Sequence, residues 1–375
     1  MTLGSLRTLG LALCAGAALA GCALGPDRPK PKPLLDYTPR IAGKVVWQQR
    51  VDGVGFALSV AVNDGVFTLA GNDGTVMAIQ AATGQEVWRA SVRAKLSAGV
   101  GSDGRFAAVV TRDGDLVTLE AGREKWRKAL TSRVTTAPLV AGERVFILGV
   151  DRSVSAFDAL DGRKLWTLQR PGDPLTLSHS GVLSAFKDTL VVGQGPRLAG
   201  LDPLRGTVRW ELPVATPRGA NEVERLADLV GPAARVADVF CVRAFQSAVG
   251  CVNAERGTLA WSKNIGGTDA VAGDEQYVFG ADASDRLSAW RTPSGEVAWT
   301  SDSLLYRALS APLSVGQALV FGDADGIVHW LSRDKGEAML RLPTDGSPVI
   351  TAPVVSGGTM LIVTRAGGLF AFRSE

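Results

Sequence analysis

The sequence is poor in the residues that usually build metal and catalytic centres. It has only two histidines, His179 and His329, and its four cysteines include no adjacent pair. Two histidines argue against a histidine-based metal site, and no Walker loop, HExxH motif or metal-spaced cysteine cluster occurs. Neither histidine accompanies a nucleophile motif, as a hydrolase triad would need. The sequence therefore predicts no metal site, no cofactor and no catalytic residue.

An excess of one charge and a sustained helical period are also missing. The 40 Lys and Arg residues nearly balance the 37 Asp and Glu residues, giving a formal charge of +3. This balance lacks the basic footprint of a nucleic-acid-binding protein. A chain of 375 residues with 46% apolar residues is nevertheless globular. It must form two or three domains or one large repeat architecture.

The N-terminus contains an apolar stretch that is too short to span a membrane as a helix. It covers residues 9–19 and follows Arg7, which predicts a secretion signal. The stretch ends in Leu19-Ala20-Gly21-Cys22, which resembles the bacterial lipobox and implies cleavage after residue 21 and a lipid on Cys22. An ordinary cleaved signal is the alternative. Ala23 in place of Asp implies sorting to the outer membrane.

Residues 22–43 follow the signal and are predicted to form a lipidated tether. Five prolines fall between residues 25 and 39, and they favour an extended, semi-rigid chain. We expect a solvated spacer that holds the globular part away from the bilayer. Contact of its basic residues with anionic head groups is the alternative.

Residues 44–375 carry one recurring pattern, in which a turn ending in Gly precedes Trp by four positions. The first copy has Gly84 and Trp88, and later copies end at Trp126, Trp166, Trp210, Trp261, Trp299 and, in the Trp position, Leu340. Successive intervals are 38, 40, 44, 51, 38 and 41 residues. A period near 40 with alternating hydrophobicity predicts four short antiparallel strands per unit, stacked radially as a β-propeller.

The two ends of the chain complete the count of blades. Trp47 lies 41 residues before Trp88, yet no full unit precedes it, and the last unit stops after Gly367–Phe372. Residues 44–50 can supply the missing strand and remove two exposed sheet edges. The prediction is an all-β, eight-bladed β-propeller of four-stranded antiparallel blades, closed by the N-terminal strand. Gly84 and its equivalents are expected at positive φ, and each Trp between neighbouring blades.

Two cysteines remain beyond the N-terminal segment. Cys241 and Cys251 flank a turn around residues 244–247 and can face each other across a hairpin. In an oxidising compartment they can form a disulfide. The alternative is two reduced thiols buried in the sheet.

The repeat is similar to the tryptophan-docking repeat of the pyrroloquinoline-quinone-like propellers. Together with the lipobox, the short Pro-rich tether and eight such units, it resembles the BamB family of lipoproteins. The resemblance implies a non-catalytic scaffold of the β-barrel assembly machinery, lipid-anchored in the outer membrane and facing the periplasm. Its implied partners are the POTRA domains of a BamA-like protein and unfolded outer-membrane proteins. The protein would be a monomer within a hetero-complex.

The same resemblance implies two contact loops. Leu175 and Leu177 stand in the apolar loop, and Glu224, Arg225 and Asp228 lie in the second loop, within the 51-residue interval. Alternatively, the leucines are strand core, and the charged residues form a local ion pair. Two other functions are compatible with a propeller: a quinoprotein-like enzyme or small-molecule binder using the central channel, and a scaffold for another envelope complex. The quinoprotein ligand set, with its adjacent cysteines, is missing.

Overall fold

A computed structural model describes residues 29–56, 58–170, 176–217 and 219–374. In these ranges 32 strands form eight four-stranded antiparallel sheets, and no helix occurs. The first strands of neighbouring blades contact one another from blade 8 through blade 1 to blade 7, including the pair that joins the last blade to the first. The prediction of an eight-bladed, all-β propeller is therefore confirmed. The signal segment, Cys22 and Leu175 lie outside the described residues.

Blades 1 to 4 follow one another along the chain, and the strands of each run in order from innermost to outermost. Blade 1 contains β2 (Ala61–Asn63), β3 (Val66–Ala70), β4 (Thr75–Gln80) and β5 (Glu86–Ser91). Blade 2 contains β6 (Gly101–Ser102), β7 (Phe106–Val110), β8 (Asp115–Glu120) and β9 (Arg123–Ala129). Blade 3 contains β10 (Leu139–Ala141), β11 (Arg144–Leu148), β12 (Val154–Asp158) and β13 (Lys164–Leu168). Blade 4 contains β14 (Leu183–Phe186), β15 (Thr189–Gln194), β16 (Arg197–Leu201) and β17 (Val208–Pro213).

Blades 5 to 8 keep the same order of strands. Blade 5 contains β18 (Leu229–Val236), β19 (Val239–Ala244), β20 (Ala248–Asn253) and β21 (Thr258–Lys263). Blade 6 contains β22 (Ala272–Gly273), β23 (Tyr277–Ala281), β24 (Leu287–Arg291) and β25 (Val297–Ser301). Blade 7 contains β26 (Leu313–Val315), β27 (Ala318–Gly322), β28 (Ile327–Ser332) and β29 (Ala338–Pro343). Blade 8 contains β30 (Val354–Ser356), β31 (Thr359–Val363), β32 (Gly368–Ser374) and β1 (Gly43–Arg50).

The last blade combines the two ends of the chain. Strand β1 pairs antiparallel with β32, and Trp47 lies opposite Ala371. The predicted closure of the ring is confirmed, and the strand begins at Gly43, one residue earlier than expected. Strand β1 is the outermost strand of the final blade, and its partner residues in β32 lie about 320 positions away in the sequence. This pairing completes the fourth strand of the last blade, so β32 is not left as an exposed sheet edge.

Tryptophan side chains join neighbouring blades, as the repeat predicted. In seven interfaces the indole packs against the Gly of the next blade's third turn, as Trp126 does on Gly162 and Trp47 on Gly84. The Trp126 Nε1–H also donates to the Ala159 carbonyl at 2.8 Å. Both glycines have positive φ, 72° and 76°. This contact between blades therefore requires a turn whose backbone can lie flat against the indole ring.

The interface between blades 7 and 8 is the exception, because Leu340 occupies the Trp position. Leu340 is buried and packs near Gly43, where a Cβ would lie 2.9 Å from its Cδ2. Leucine is smaller than tryptophan, and a cavity of ≈130 Å³ lined by Ile41, Leu340 and Phe372 remains at this interface. This joint lacks the indole hydrogen bond that ties other blades.

The strand directions define two faces of the propeller. Within each blade the strands alternate, so the turn between the second and third strands lies at the same end as the connection to the next blade. We call this end the connection face; it includes residues 149–153, 176–182, 221–228 and 302–312. The opposite face carries the Gly84-type turns.

Candidate functional site

Asp228 joins the two predicted contact loops on the connection face. Its Oδ2 accepts a hydrogen bond from the Leu177 backbone N–H at 2.9 Å. Its Oδ1 lies 3.4 Å from an Arg152 guanidinium nitrogen, with both side chains largely buried. One carboxylate therefore fixes the connection between blades 3 and 4 to the connection between blades 4 and 5. Leu177 and Asp228 are brought together although 51 residues separate them.

Leu177 lies in a connection and not in a strand, because β14 begins only at Leu183. Its side chain is half-buried and lines a small cavity of ≈50 Å³ together with Leu148 and Leu229. Leu177 therefore lines an apolar part of this cavity, and the hydrogen bond to Asp228 fixes its backbone. Leu175 lies outside the described residues.

Glu224 acts within its own loop. Its carboxylate accepts hydrogen bonds from the Ala220 N–H at 2.7 Å and the Asn221 side-chain amide at 2.9 Å. The Asn221 carbonyl oxygen of the side chain in turn accepts from the Glu224 N–H at 2.9 Å. This reciprocal arrangement stabilises the turn in the way a capping box stabilises a helix start. Glu224 therefore shapes the loop and does not present a free carboxylate.

Arg225 is half-buried, and its backbone N–H donates to the Asn221 carbonyl at 3.2 Å. The ion pair of Asp228 is formed with Arg152, so the alternative of a local Arg225–Asp228 pair is wrong. Arg152 escaped sequence reasoning because it lies 76 residues before Asp228, in the turn between β11 and β12. Only the arrangement of blades 3 to 5 brings the two together.

Val223 was also missed, and it is the most exposed large apolar side chain of the described residues, at 71%. It stands in the turn that Glu224 stabilises, between charged neighbours. An isolated valine among polar residues was the available signal. An exposed apolar side chain on a hydrogen-bonded turn can serve as an anchor for a partner.

Cys241 and Cys251 lie opposite each other in β19 and β20, and a disulfide joins them in the structure. Both are fully buried, next to Trp261 and Trp290. The pair belongs to the interior of blade 5, away from the connection-face loops.

A cavity of ≈630 Å³ lies on the connection face and is lined by residues from several blades. Three of its lining residues are acidic: Asp269, Asp282 and Asp285. Asp285 accepts hydrogen bonds from the Ala308 and Leu309 N–H groups, and burial raises its pKa. Asp282 accepts from the Ser284 and Arg286 N–H groups. These two carboxylates therefore organise turns of blade 6.

The described ranges contain neither a metal-binding cluster nor a membrane-spanning helix. No group of three or more His, Cys, Asp or Glu residues there is arranged to hold a metal ion. Among the same residues, no helix is long and apolar enough to cross a bilayer.

Comparison with known proteins places this geometry in a family. The family model described as "Outer membrane protein assembly factor BamB" matches residues 72–301. The protein of that name from Burkholderia pseudomallei is 36% identical over 96% of both chains. The one from Bordetella pertussis is 33% identical, over 96% of this chain and 95% of its own.

Solved structures agree on the fold. The crystal structure of BamB from Moraxella catarrhalis superposes with a TM-score of 0.81, at 22% identity, covering 88% of this chain and all of that one. Quinohemoprotein alcohol dehydrogenase from Comamonas testosteroni shares the fold at a TM-score of 0.67 and 17% identity, covering 88% of this chain and 76% of that one. The sequence relatives are named as assembly factors, so the prediction of a non-catalytic protein is confirmed. On the family model and these near-full-length matches, the chain belongs to the BamB family of outer membrane protein assembly factors.

Proposed function

We propose that the protein is a non-catalytic scaffold of the outer-membrane β-barrel assembly machinery that binds the POTRA region of a BamA-like protein through its connection face. The observation that carries the proposal is the Asp228 carboxylate, which holds the Leu177 N–H at 2.9 Å and Arg152 at 3.4 Å. It makes one rigid surface from two loops, and a preordered surface loses less conformational entropy on binding.

The surface has the composition of a protein-binding site. Leu177 and Val223 supply apolar groups, and the half-buried Arg225 follows Val223 in the same loop. Burying a valine such as Val223, now 71% exposed, would contribute about 1.5–3 kcal/mol. In this proposal Asp228 is a positioning residue, because both of its oxygens already have partners within the chain.

The proposal places the protein at the inner face of the outer membrane through a lipid on Cys22. The lipobox-like Leu19-Ala20-Gly21-Cys22 supports this anchor. A single covalent lipid with several acyl chains holds a protein far more firmly than one chain does. Unfolded outer-membrane proteins would be clients, engaged by strand addition at outermost strands. Val87 and Leu259 are exposed on such strands, β5 and β21.

The test measures binding of the purified POTRA region of the BamA-like protein from the same organism. Leu177→Asp and Val223→Asp each place a charge on the proposed surface, and Val297→Asp is the matched control on the outer strand of blade 6. Val297 is 58% exposed, so the control makes the same chemical change as Val223→Asp at similar exposure. Loss of an apolar anchor worth about 2 kcal/mol or more weakens binding about 30-fold.

We expect about 30-fold weaker binding for Leu177→Asp and Val223→Asp, and a change below about twofold for Val297→Asp. Asp228→Asn should weaken binding less than Leu177→Asp, since the amide oxygen can still accept from the Leu177 N–H. If Leu177→Asp, Val223→Asp and Val297→Asp weaken binding equally, the proposed binding surface is wrong. Co-purification of the tagged lipoprotein with an envelope complex that lacks a BamA-like protein would overturn the function itself.

A further inference from the structure

The described part of the tether, residues 29–42, lies against blades 6 and 7 and is not a free spacer. We propose that these residues, which we call the strap, are a built docking segment that fixes the side of the propeller from which the lipid anchor leaves. The orientation half of the proposal rests on the proposed lipidation of Cys22. The docking half rests on contacts within the chain alone.

The strap begins on the connection face. The Lys32 backbone N–H donates to the Leu305 carbonyl at 2.9 Å, and its ammonium lies 3.1 Å from Asp302. The Lys32 carbonyl accepts from Arg307 at 3.2 Å. Arg307 is only 6% exposed and is itself held at 2.8 Å by the buried Asp323. A backbone carbonyl of the strap thus completes the hydrogen bonds of a buried, paired guanidinium.

The strap then follows the outer edge of blade 7. The Arg341 N–H donates to the Tyr37 hydroxyl at 2.7 Å, and the Arg341 guanidinium donates to the Leu35 carbonyl at 2.7 Å. The same guanidinium lies 4.5 Å from the centre of the Tyr37 ring. The Arg40 N–H donates to the Met339 carbonyl at 2.9 Å. Met339 and Arg341 belong to β29, so the strap satisfies outward backbone groups of an edge strand.

The position of the strap coincides with the one interface that lacks tryptophan. Leu340 stands between the two strand residues that the strap contacts. Ile41 packs against the core cluster that contains Leu340 and Phe372, and it lines the cavity left there. The strap therefore adds apolar and hydrogen-bonded contacts where the indole tie is missing. This placement argues for a built contact and against chance adhesion of a flexible segment.

The direction of the strap determines where the lipid lies. Pro29 lines the ≈630 Å³ cavity on the connection face, while Arg40 lies by Glu337 at the opposite end of blade 7. Seven residues separate Pro29 from Cys22, which at full extension span at most about 25 Å. Without docking, the chain would leave the propeller at Gly43 on the opposite face. The 21 residues from Cys22 to Gly43 would then let the lipid lie up to about 75 Å from that face. The docked strap therefore turns the connection face, with Leu177 and Asp228, towards the bilayer.

Hydrogen–deuterium exchange of the lipidated, mature protein in detergent tests the docking. The amides of Lys32 and Arg40, which donate to Leu305 and Met339, should exchange more than about tenfold slower than in the free 29–42 peptide. Tyr37→Ala combined with Arg40→Ala should remove that protection, because both changes lie in the strap and leave the blades intact. Arg105→Ala is the control, since it removes an exposed ion pair with Glu120 in blade 2. Peptide-like exchange in the unaltered protein would overturn the proposal.

Fluorescence resonance energy transfer tests the orientation. The acceptor fluorophores are attached to lipid head groups in vesicles of three parts phosphatidylethanolamine to one part phosphatidylglycerol. Donors are attached to cysteines introduced at Asp113 on the connection face or at Ala82 on the opposite face, both exposed. Transfer should be stronger from position 113, and the Tyr37→Ala, Arg40→Ala variant should reduce the difference. Equal transfer in the unaltered protein would refute the orientation. POTRA binding is measured on the same samples, so a protected strap without POTRA binding rejects only the proposed function.

Discussion

Gly162→Ala isolates the contribution of the blade-to-blade tie to stability. Gly162 has a φ of 72°, and a Cβ added to it would lie 2.7 Å from two carbons of the Trp126 ring. The substitution therefore has two costs, a left-handed backbone for alanine and a collision with a buried indole. Gly142, in another turn of the same blade, has a φ of 57° and no atom within 4 Å of an added Cβ. Gly142→Ala thus has the first cost alone.

The magnitudes follow from these two geometries. Holding alanine at positive φ costs about 1–2 kcal/mol, which both variants share. Forcing a methyl group into a packed contact costs about 1–3 kcal/mol more, which applies to Gly162 only. Because both variants stiffen the unfolded chain equally, that effect cancels in the comparison. The free energy of unfolding should fall by about 1–2 kcal/mol for Gly142→Ala and about 2–5 kcal/mol for Gly162→Ala.

Urea unfolding followed by circular dichroism measures both values. A double-mutant cycle completes the design: in a Trp126→Ala background the indole is gone, so Gly162→Ala should cost no more than Gly142→Ala. If Gly162→Ala and Gly142→Ala are equally destabilising in the natural background, the glycine is required only for its backbone conformation. That outcome would refute the docking role inferred for the Gly–Trp pair.

Three further predictions concern groups buried within blades 5 and 7. Replacing Cys241 and Cys251 together by Ser should lower the free energy of unfolding by about 2–3 kcal/mol, because the bond closes a loop with a sequence separation of 10; an unchanged intact mass on reduction would show unpaired thiols. Burial lowers the pKa of Arg243 to about 10, so it stays charged at neutral pH, and its guanidinium donates to four backbone carbonyls; Arg243→Met should cost about 3 kcal/mol or more in urea unfolding, and a neutral effect would contradict this role. Burial lowers the pKa of His329 below 6.5, although its hydrogen bond to Asp323 opposes the shift. The folded state therefore favours neutral His329, and stability should decline as the pH falls below about 6.5 until the lower folded pKa is passed; His329→Gln should lose this part of the pH dependence, and an unchanged profile would exclude His329 as its source.

The parts of the fold that could be predicted are those that the chain repeats. The contact between a turn Gly and the Trp of the preceding blade occurs seven times in the described structure. Those Gly and Trp positions recur along the sequence at intervals near 40 residues, and this recurrence indicated the blade period. Trp47 extended that spacing to the N-terminus and predicted its pairing with β32. A repeated local contact leaves a repeated local signal, which is why one sequence sufficed.

The site was less accessible, because its contacts join positions that no local pattern links. Asp228 was found through the resemblance, but its pairing with Arg152 depends on how three blades meet. Glu224 was predicted only as a residue of the second contact loop, and the structure shows that its carboxylate accepts hydrogen bonds from Ala220 and Asn221. Charge and position in a loop cannot distinguish a carboxylate that stabilises its own turn from one offered to a partner.

Departures from the repeat carry the information that the repeat itself does not. The longest interval, 51 residues, contains the Asp228 loop that joins the connection-face surface. The single missing tryptophan, at Leu340, lies where the strap follows β29. A blade that contacted only its neighbouring blades would need neither a longer connection nor a leucine in place of the interface tryptophan. Because local rules are broken where other demands act on the chain, these two irregularities mark the surfaces to test first.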